Sequence, residues 1–167
     1  ALEMAKALNC TAPGPRPCDA CPVCVQIGRG THPDVHVLSP VGASEAIRIE
    51  AVRHLLGRIA LRPFSAAFQV AIIDGAERLT EEAANSLLKS LEEPPAHTRF
   101  LLTTSRLSDC LLTIVSRCQL VRCQPLPPAA ITRLLIEKQR CAPETAQAIA
   151  GLAAGSASQA FKLAERW

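Results

Sequence analysis

The sequence predicts an α/β protein: a parallel, three-layer sheet carrying a cysteine-rich insertion, followed by a small three-helix domain. Three observations predict it. Strand-length apolar runs alternate with helical patterns through residues 1–124. The clearest run, Phe68 to Ile73, lacks strict polar alternation, as strands buried on both faces do. After Pro125-Leu126-Pro127-Pro128 the strand signals stop and only helical patterns remain.

Taken in order, Ala1 to Leu8 is already in helical register and has no initiator Met, which suggests a piece of a longer chain. Pro13, Pro15, Pro17 and Pro22 exclude regular structure over residues 9–24, and Val25 to Gly28 is expected to form one helical turn. Asp34 to Leu38 is a strand, closed by Ser39-Pro40. Ile47 to Leu61 is helical, with Ile47, Ala51, Leu55 and Ile59 as its buried stripe. Thr80 caps a helix that runs to Glu93 and is stopped by Pro94-Pro95. Glu81 and Glu82 complement its amino-terminal dipole, and Ala83, Ala84, Leu87, Leu88 and Leu91 form its apolar stripe. Phe100 to Thr104 is a strand, Leu111 to Ser116 a short helix and Gln119 to Cys123 a short strand. The second domain, 125–167, holds helices over 129–140, 143–153 and 156–166.

Composition narrows the function classes. Nearly half the residues are apolar and a fifth charged, an ordinary globular balance, and no apolar run approaches the roughly 20 residues that span a bilayer. A net charge of +3 permits contact with nucleic acid without arguing for it. With 3% aromatic residues and no Tyr, a base-stacking platform is not expected. Eight cysteines would suit a secreted protein, but four of them lie within fifteen residues, which favours a metal site in a reducing cytoplasm.

Those four, Cys10, Cys18, Cys21 and Cys24, have the spacing C-x7-C-x2-C-x2-C. Four thiolates suit a closed, tetrahedral structural zinc site with no open position for catalysis. Unpaired buried cysteines or disulfides are the alternative. His32 and His36 lie nearby and are read as packing or surface histidines, since four sulfurs already complete a set.

The apolar strand 68–73 ends in Asp74, at the carboxyl edge where ligands bind in open α/β sheets. In nucleotide-binding folds an Asp here is the Walker B acid that helps to hold magnesium. The next residue is Gly75, where an active ATPase usually carries a second acid. The glycine-rich P-loop motif is absent from this stretch, and its expected place, with the first strand of the core, is just before Ala1. Glu77 reads as a surface acid beside the next helix.

Two further stretches, Leu87-Leu88-Lys89-Ser90-Leu91-Glu92-Glu93-Pro94-Pro95 and Thr113-Ile114-Val115-Ser116-Arg117-Cys118, carry a family resemblance. With the cysteine module they resemble the gamma/tau and delta-prime subunits of DNA polymerase III, the bacterial replicative clamp loaders of the AAA+ class. The resemblance runs from Ala1 to about residue 166. It implies a AAA+ (P-loop NTPase-like) core over 1–124, with a zinc module at 9–28, and a helical lid at 125–167. It implies a cytoplasmic, replisome-associated subunit of a hetero-pentameric ring with gamma/tau and delta. That ring opens the sliding clamp and places it on primed DNA, with ATP and Mg2+ at subunit interfaces. The collar domain that closes such rings is expected outside this stretch.

By the same resemblance, Arg117 matches the arginine finger that one subunit offers to its neighbour's ATP. A guanidinium is permanently charged and can make two directed bonds to phosphate oxygens. The alternative is an intramolecular salt bridge. Thr104 matches the family's polar sensor position, with a hydroxyl satisfying local backbone as the alternative. Asp74 and Thr104 would then form a degenerate nucleotide site. Lys89 and Glu92-Glu93 are motif residues with no assigned step, solvated unless they meet another subunit.

Gly75 and Ser158 replace two catalytic groups of ATP-hydrolysing relatives, a Walker B acid and a sensor Arg. Thr31-His32-Pro33-Asp34-Val35-His36, Ala83-Ala84-Asn85 and Asp74-Gly75-Ala76-Glu77 resemble delta-prime more than gamma/tau. The expectation is a subunit without ATPase activity of its own inside a DNA-directed DNA polymerase (nucleotidyltransferase) holoenzyme. A gamma/tau-like ATPase that tolerates Gly75 is the runner-up.

Overall fold

The computed structural model describes residues 1–40 and 46–166; Trp167, the last residue of the expected lid, lies outside them. The chain divides into two compact units, Ala1–Leu120 and Val121–Trp167.

The first unit is built on three parallel strands in the order β1 (Val35–Leu38), β2 (Gln69–Asp74), β3 (Thr98–Thr103). The register pairs Val35 with Val70 on one side of β2, and Gln69 with Thr98 through Asp74 with Thr103 on the other. Five consecutive residues of β2 are buried, and the sixth, Asp74, is exposed. The period of two explains the layering. Ala71 and Ile73 pack with Val52, Leu55 and Ile59 of α3 (Ile49–Ile59) and Leu87 of α4 (Glu81–Glu92). Val70 and Ile72 face the other way, onto Ala5 of α1 (Leu2–Asn9) and Ile27 of α2 (Pro22–Gly28). The three expected layers are therefore present.

Several details differ from the sequence reading, among them β3, which covers Thr98–Thr103 rather than 100–104. The third helix starts at Ile49, and Ile47 instead makes a parallel bridge to Leu79, donating to the Arg78 carbonyl at 2.8 Å. The buried stripe of α3 accordingly runs through Val52, Leu55 and Ile59, with Ala51 only half-buried. The second helix starts at Pro22, because a proline at the first helical position needs no N–H and carries a suitable φ. No strand forms over 119–123, where the backbone is irregular and the residues are exposed. A strand needs a ladder partner, and the described ladders join only β1, β2 and β3.

In α4, Thr80 caps as expected, its hydroxyl accepting from Ala83 N at 3.3 Å. A short helix α5 (Leu112–Val115) follows β3. Its Ile114 is buried in the same core as Leu87.

The second unit holds α6 (Pro128–Gln139), α7 (Pro143–Leu152) and α8 (Ala157–Ala164). They pack around Ile131, Leu135, Ile149 and Ala160. The proline stretch belongs to this unit's structure: Leu126 N donates to Gly155 O at 2.9 Å. Gly155 has φ +81°, and a Cβ there would lie 2.3 Å from Pro125 Cβ, so only glycine fits. Among the described residues no helix is long and apolar enough to cross a membrane.

Candidate functional site

Three neighbourhoods in the first unit carry chemistry. The cysteine loop comes first. Cys10 follows α1, Cys18 and Cys21 sit in irregular backbone, and Cys24 lies in the first turn of α2. Their four Sγ atoms all lie within 4.8 Å of one another, and Cys18 and Cys24 are 4.0 Å apart. Four sulfurs bound to one ion at about 2.3 Å would be about 3.8 Å apart, so the cluster is shaped to hold a metal ion. Backbone N–H groups point at the sulfurs, Cys21 N to Cys18 Sγ at 3.2 Å and Cys24 N to Cys21 Sγ at 3.4 Å.

The sulfurs differ in acidity. The Cys24 N–H, then that of Thr11, holds the Cys21 thiol down to about 5. The N–H of Ala12, then that of Cys18, lowers Cys10. Burial pushes Cys24 up to about 12. Thiolates are the form that binds a metal, so a bound dication would displace the protons the sulfurs hold.

The loop is anchored at both ends. Lys6 Nζ bridges Glu3 at 2.8 Å and Asp19 at 2.9 Å. The buried Asn9 side chain pairs with the backbone of Phe68, donating to its carbonyl at 3.1 Å and accepting its N–H at 2.9 Å.

His32 and His36 are buried, and among the described residues the metal-capable cluster contains only the four cysteines. His32 Nδ1 accepts from Asp34 N at 3.1 Å. Both histidines line an open groove of about 500 Å³ with His54 and Arg58. Burial, then the Arg58 charge, lowers the His36 pKa below its usual range. Asp34, also buried, accepts the N–H groups of Phe64, Ser65 and Ala66 at 2.6, 2.8 and 2.8 Å. Burial works to raise its pKa, but those three bonds outweigh it and hold the carboxyl below its usual range.

The second neighbourhood is the carboxyl edge of the sheet. Asp74 is exposed there, and Thr103 Oγ1 donates to its Oδ1 at 2.6 Å. The same hydroxyl accepts from Gly75 N at 3.3 Å. Gly75 has φ +82°, in the left-handed region. A Cβ at that position would meet Arg78 Cγ at 3.3 Å. Thr104 lies one residue beyond the end of β3, and its hydroxyl accepts from Arg106 N at 3.1 Å. It is thus Thr103 that meets Asp74. The sequence shows two adjacent threonines, and only the β2–β3 register separates them. Glu77 is half-buried and accepts from Ser105 Oγ at 3.0 Å. Burial works to raise its pKa, but the Thr104 and Ser105 hydroxyls outweigh it.

The third neighbourhood is the turn after α5. Arg117 Nε donates to Glu92 Oε1 at 2.6 Å, and Nη2 meets the same oxygen. Nη1 donates to Thr113 O at 2.9 Å and to Ser116 Oγ at 3.4 Å. Glu92 ends α4, where the helix dipole disfavours a carboxylate, and Arg117 offsets that charge. Lys89 and Glu93 are exposed. In the second unit, Ser158 is exposed on the first turn of α8.

With a parallel sheet between helical layers and an acid at the carboxyl edge of its central strand, the first unit has the AAA+ (P-loop NTPase-like) fold of the solved structures it matches. The RuvB branch-migration motor of Thermotoga maritima shares that fold, with a TM-score of 0.62 at 16% identity, over 86% of this chain and 48% of that one. A gamma subunit-related protein of DNA polymerase III from the same organism superposes with a TM-score of 0.58 at 27% identity, over 78% of this chain and 48% of that one. The family model described as "DNA polymerase III, delta subunit" matches residues 1–127. The DNA polymerase III subunit delta' of Bacillus subtilis is 39% identical over 153 residues. The chain belongs to the DNA polymerase III delta-prime family. The match covers 91% of this chain and 45% of the Bacillus protein, so the chain spans about half the length of such relatives.

Proposed function

We propose that this chain is the AAA+ part of a bacterial sliding-clamp-loader subunit that does not turn over ATP itself and completes the ATP site of a neighbouring subunit with Arg117. The observation that carries the reading is the backbone at Gly75, whose φ of +82° disfavours the acidic side chain that would orient an attacking water. Asp74, tied to Thr103, and Thr104 remain as a degenerate nucleotide edge. Arg117 keeps a charged, partly exposed guanidinium beside the Ser116-Arg117-Cys118 turn.

On this reading the partners are gamma/tau and delta in a hetero-pentamer that acts on the sliding clamp and primed DNA in the cytoplasm. Residues 1–124 are the core and 125–167 the lid. The metal of Cys10, Cys18, Cys21 and Cys24 is a structural zinc. Four sulfurs leave it no open coordination position, so its work is to fix the loop between α1 and α2.

The test uses the full-length protein. Alone it should hydrolyse no ATP, and in a reconstituted loader Arg117→Ala should reduce turnover at the neighbour's site on the order of 10³-fold. Turnover by the isolated subunit at the rate of an ATPase subunit would sink the reading. It would favour the second one, a gamma/tau-like ATPase, which draws support from the retained Asp74 and the gamma-related structural neighbour.

A further inference from the structure

We propose that Glu92 is a competitor, built into the chain, for the guanidinium edge with which Arg117 would grip a phosphate. The inference rests on the reading of Arg117 as a finger offered to a neighbouring subunit.

A guanidinium carries five N–H donors and binds phosphate through two parallel donors on one edge. Glu92 Oε1 takes the Nε–Nη2 edge, with Nε at 2.6 Å. Nη1 is spent on Thr113 O at 2.9 Å and Ser116 Oγ at 3.4 Å. One N–H, on Nη2, is left over, and no edge keeps two free donors. The carboxylate therefore occupies, through the single oxygen Oε1, the edge that a phosphate would need.

Both backbones are fixed. Leu87 anchors α4 in the core, and Ile114 anchors the turn, with Arg117 N donating to Ile114 O at 3.1 Å. Release of Arg117 is thus a side-chain movement. The pair is also easily broken: the Arg117 side chain keeps 30% of its exposure and that of Glu92 50%. Ion pairs in such positions hold by a factor of roughly two to five. A finger available for only part of the time lowers the apparent efficiency of the site it serves by that factor.

The experiment measures kcat/KM for ATP in a loader reconstituted with the full-length subunit. Glu92→Gln keeps the shape and removes the charge. It should raise kcat/KM by roughly two- to fivefold, the factor by which such an exposed pair holds. On an Arg117→Ala background, Glu92→Gln should change nothing. A lower kcat/KM for Glu92→Gln would show that Glu92 aims the finger rather than competes for it, and an unchanged value would show that it does neither; both overturn the proposal. If Arg117→Ala abolishes turnover while Glu92→Gln fails to raise it, only the role of Glu92 falls. If Arg117→Ala leaves turnover intact, the finger reading falls, and this inference with it.

Discussion

Thr103 and Asp74 are direct partners in the β2–β3 register, and the threonine hydroxyl closes a 2.6 Å hydrogen bond onto the carboxylate. The same hydroxyl accepts the Gly75 N–H at 3.3 Å, so one side chain fixes both the acid and the left-handed residue after it. A side chain at position 75 must adopt that backbone and crowd Arg78. Gly75→Glu should therefore destabilise the fold by about 1–2 kcal/mol, measured by chemical denaturation, and should not bring ATP turnover with it.

Gly155 is under tighter restraint. A Cβ would lie 2.3 Å from Pro125 Cβ and 3.0 Å from its Cα, at φ +81°. Backbone strain and overpacking add here, and Gly155→Ala should cost the second unit about 2–4 kcal/mol. Loss of helical signal at a lower temperature is the expected readout, with the cores around β2 unaffected.

Acid should weaken the first unit in two stages. The unfolded chain takes up a proton at His36 near 6.5, while the folded chain resists it because of burial and Arg58. Stability present above 6.5 is thus lost as pH falls below it. His54 also opposes protonation of His36 and Asp34 favours it. Asp34 follows at lower pH: its contribution is present above the ordinary 3.8 and disappears as pH falls through its depressed folded value. Asp34→Asn removes the charge that serves three N–H groups and should cost about 1–3 kcal/mol at neutral pH. Denaturation midpoints from pH 7 down to well below 3.8 would show both stages, and His36→Gln should remove the first.

Metal analysis of the purified protein should find about one zinc per chain. A chelator should raise amide exchange over residues 9–28 well before it touches β2, whose Ala71 and Ile73 pack into a core built with α3 and α4. Metal-free protein with an ordered cysteine loop would contradict this.

Local patterns foretold most of the frame. The helix α4 lies between a capping Thr80 and Pro94-Pro95, and β2 is a run of apolar residues too short for a helix. Both follow from neighbours in the chain. What escaped depends on contacts across the fold. Ile47 is apolar at helical spacing but is held by Leu79. Residues 119–123 have strand composition but join no described ladder. Thr103, rather than Thr104, meets Asp74 because pairing register is a tertiary property. The cysteine spacing told of the sulfur cluster, since proximity in sequence and in space coincide there. The partner of Arg117 lies 25 residues away, and no spacing rule links it to Glu92.

The two faces of β2 make neighbouring residues independent instruments. Ile72 looks toward α1 and α2, where the cysteine loop is seated, and Ile73 toward α3 and α4. Ile72→Val and Ile73→Val each remove one methylene, at a cost of about 0.5–1.5 kcal/mol. Exchange measurements should register the first in the layer that carries the cysteine loop and the second in the layer that ends at Glu92. Adjacent links of a single strand thus report on opposite sides of the molecule.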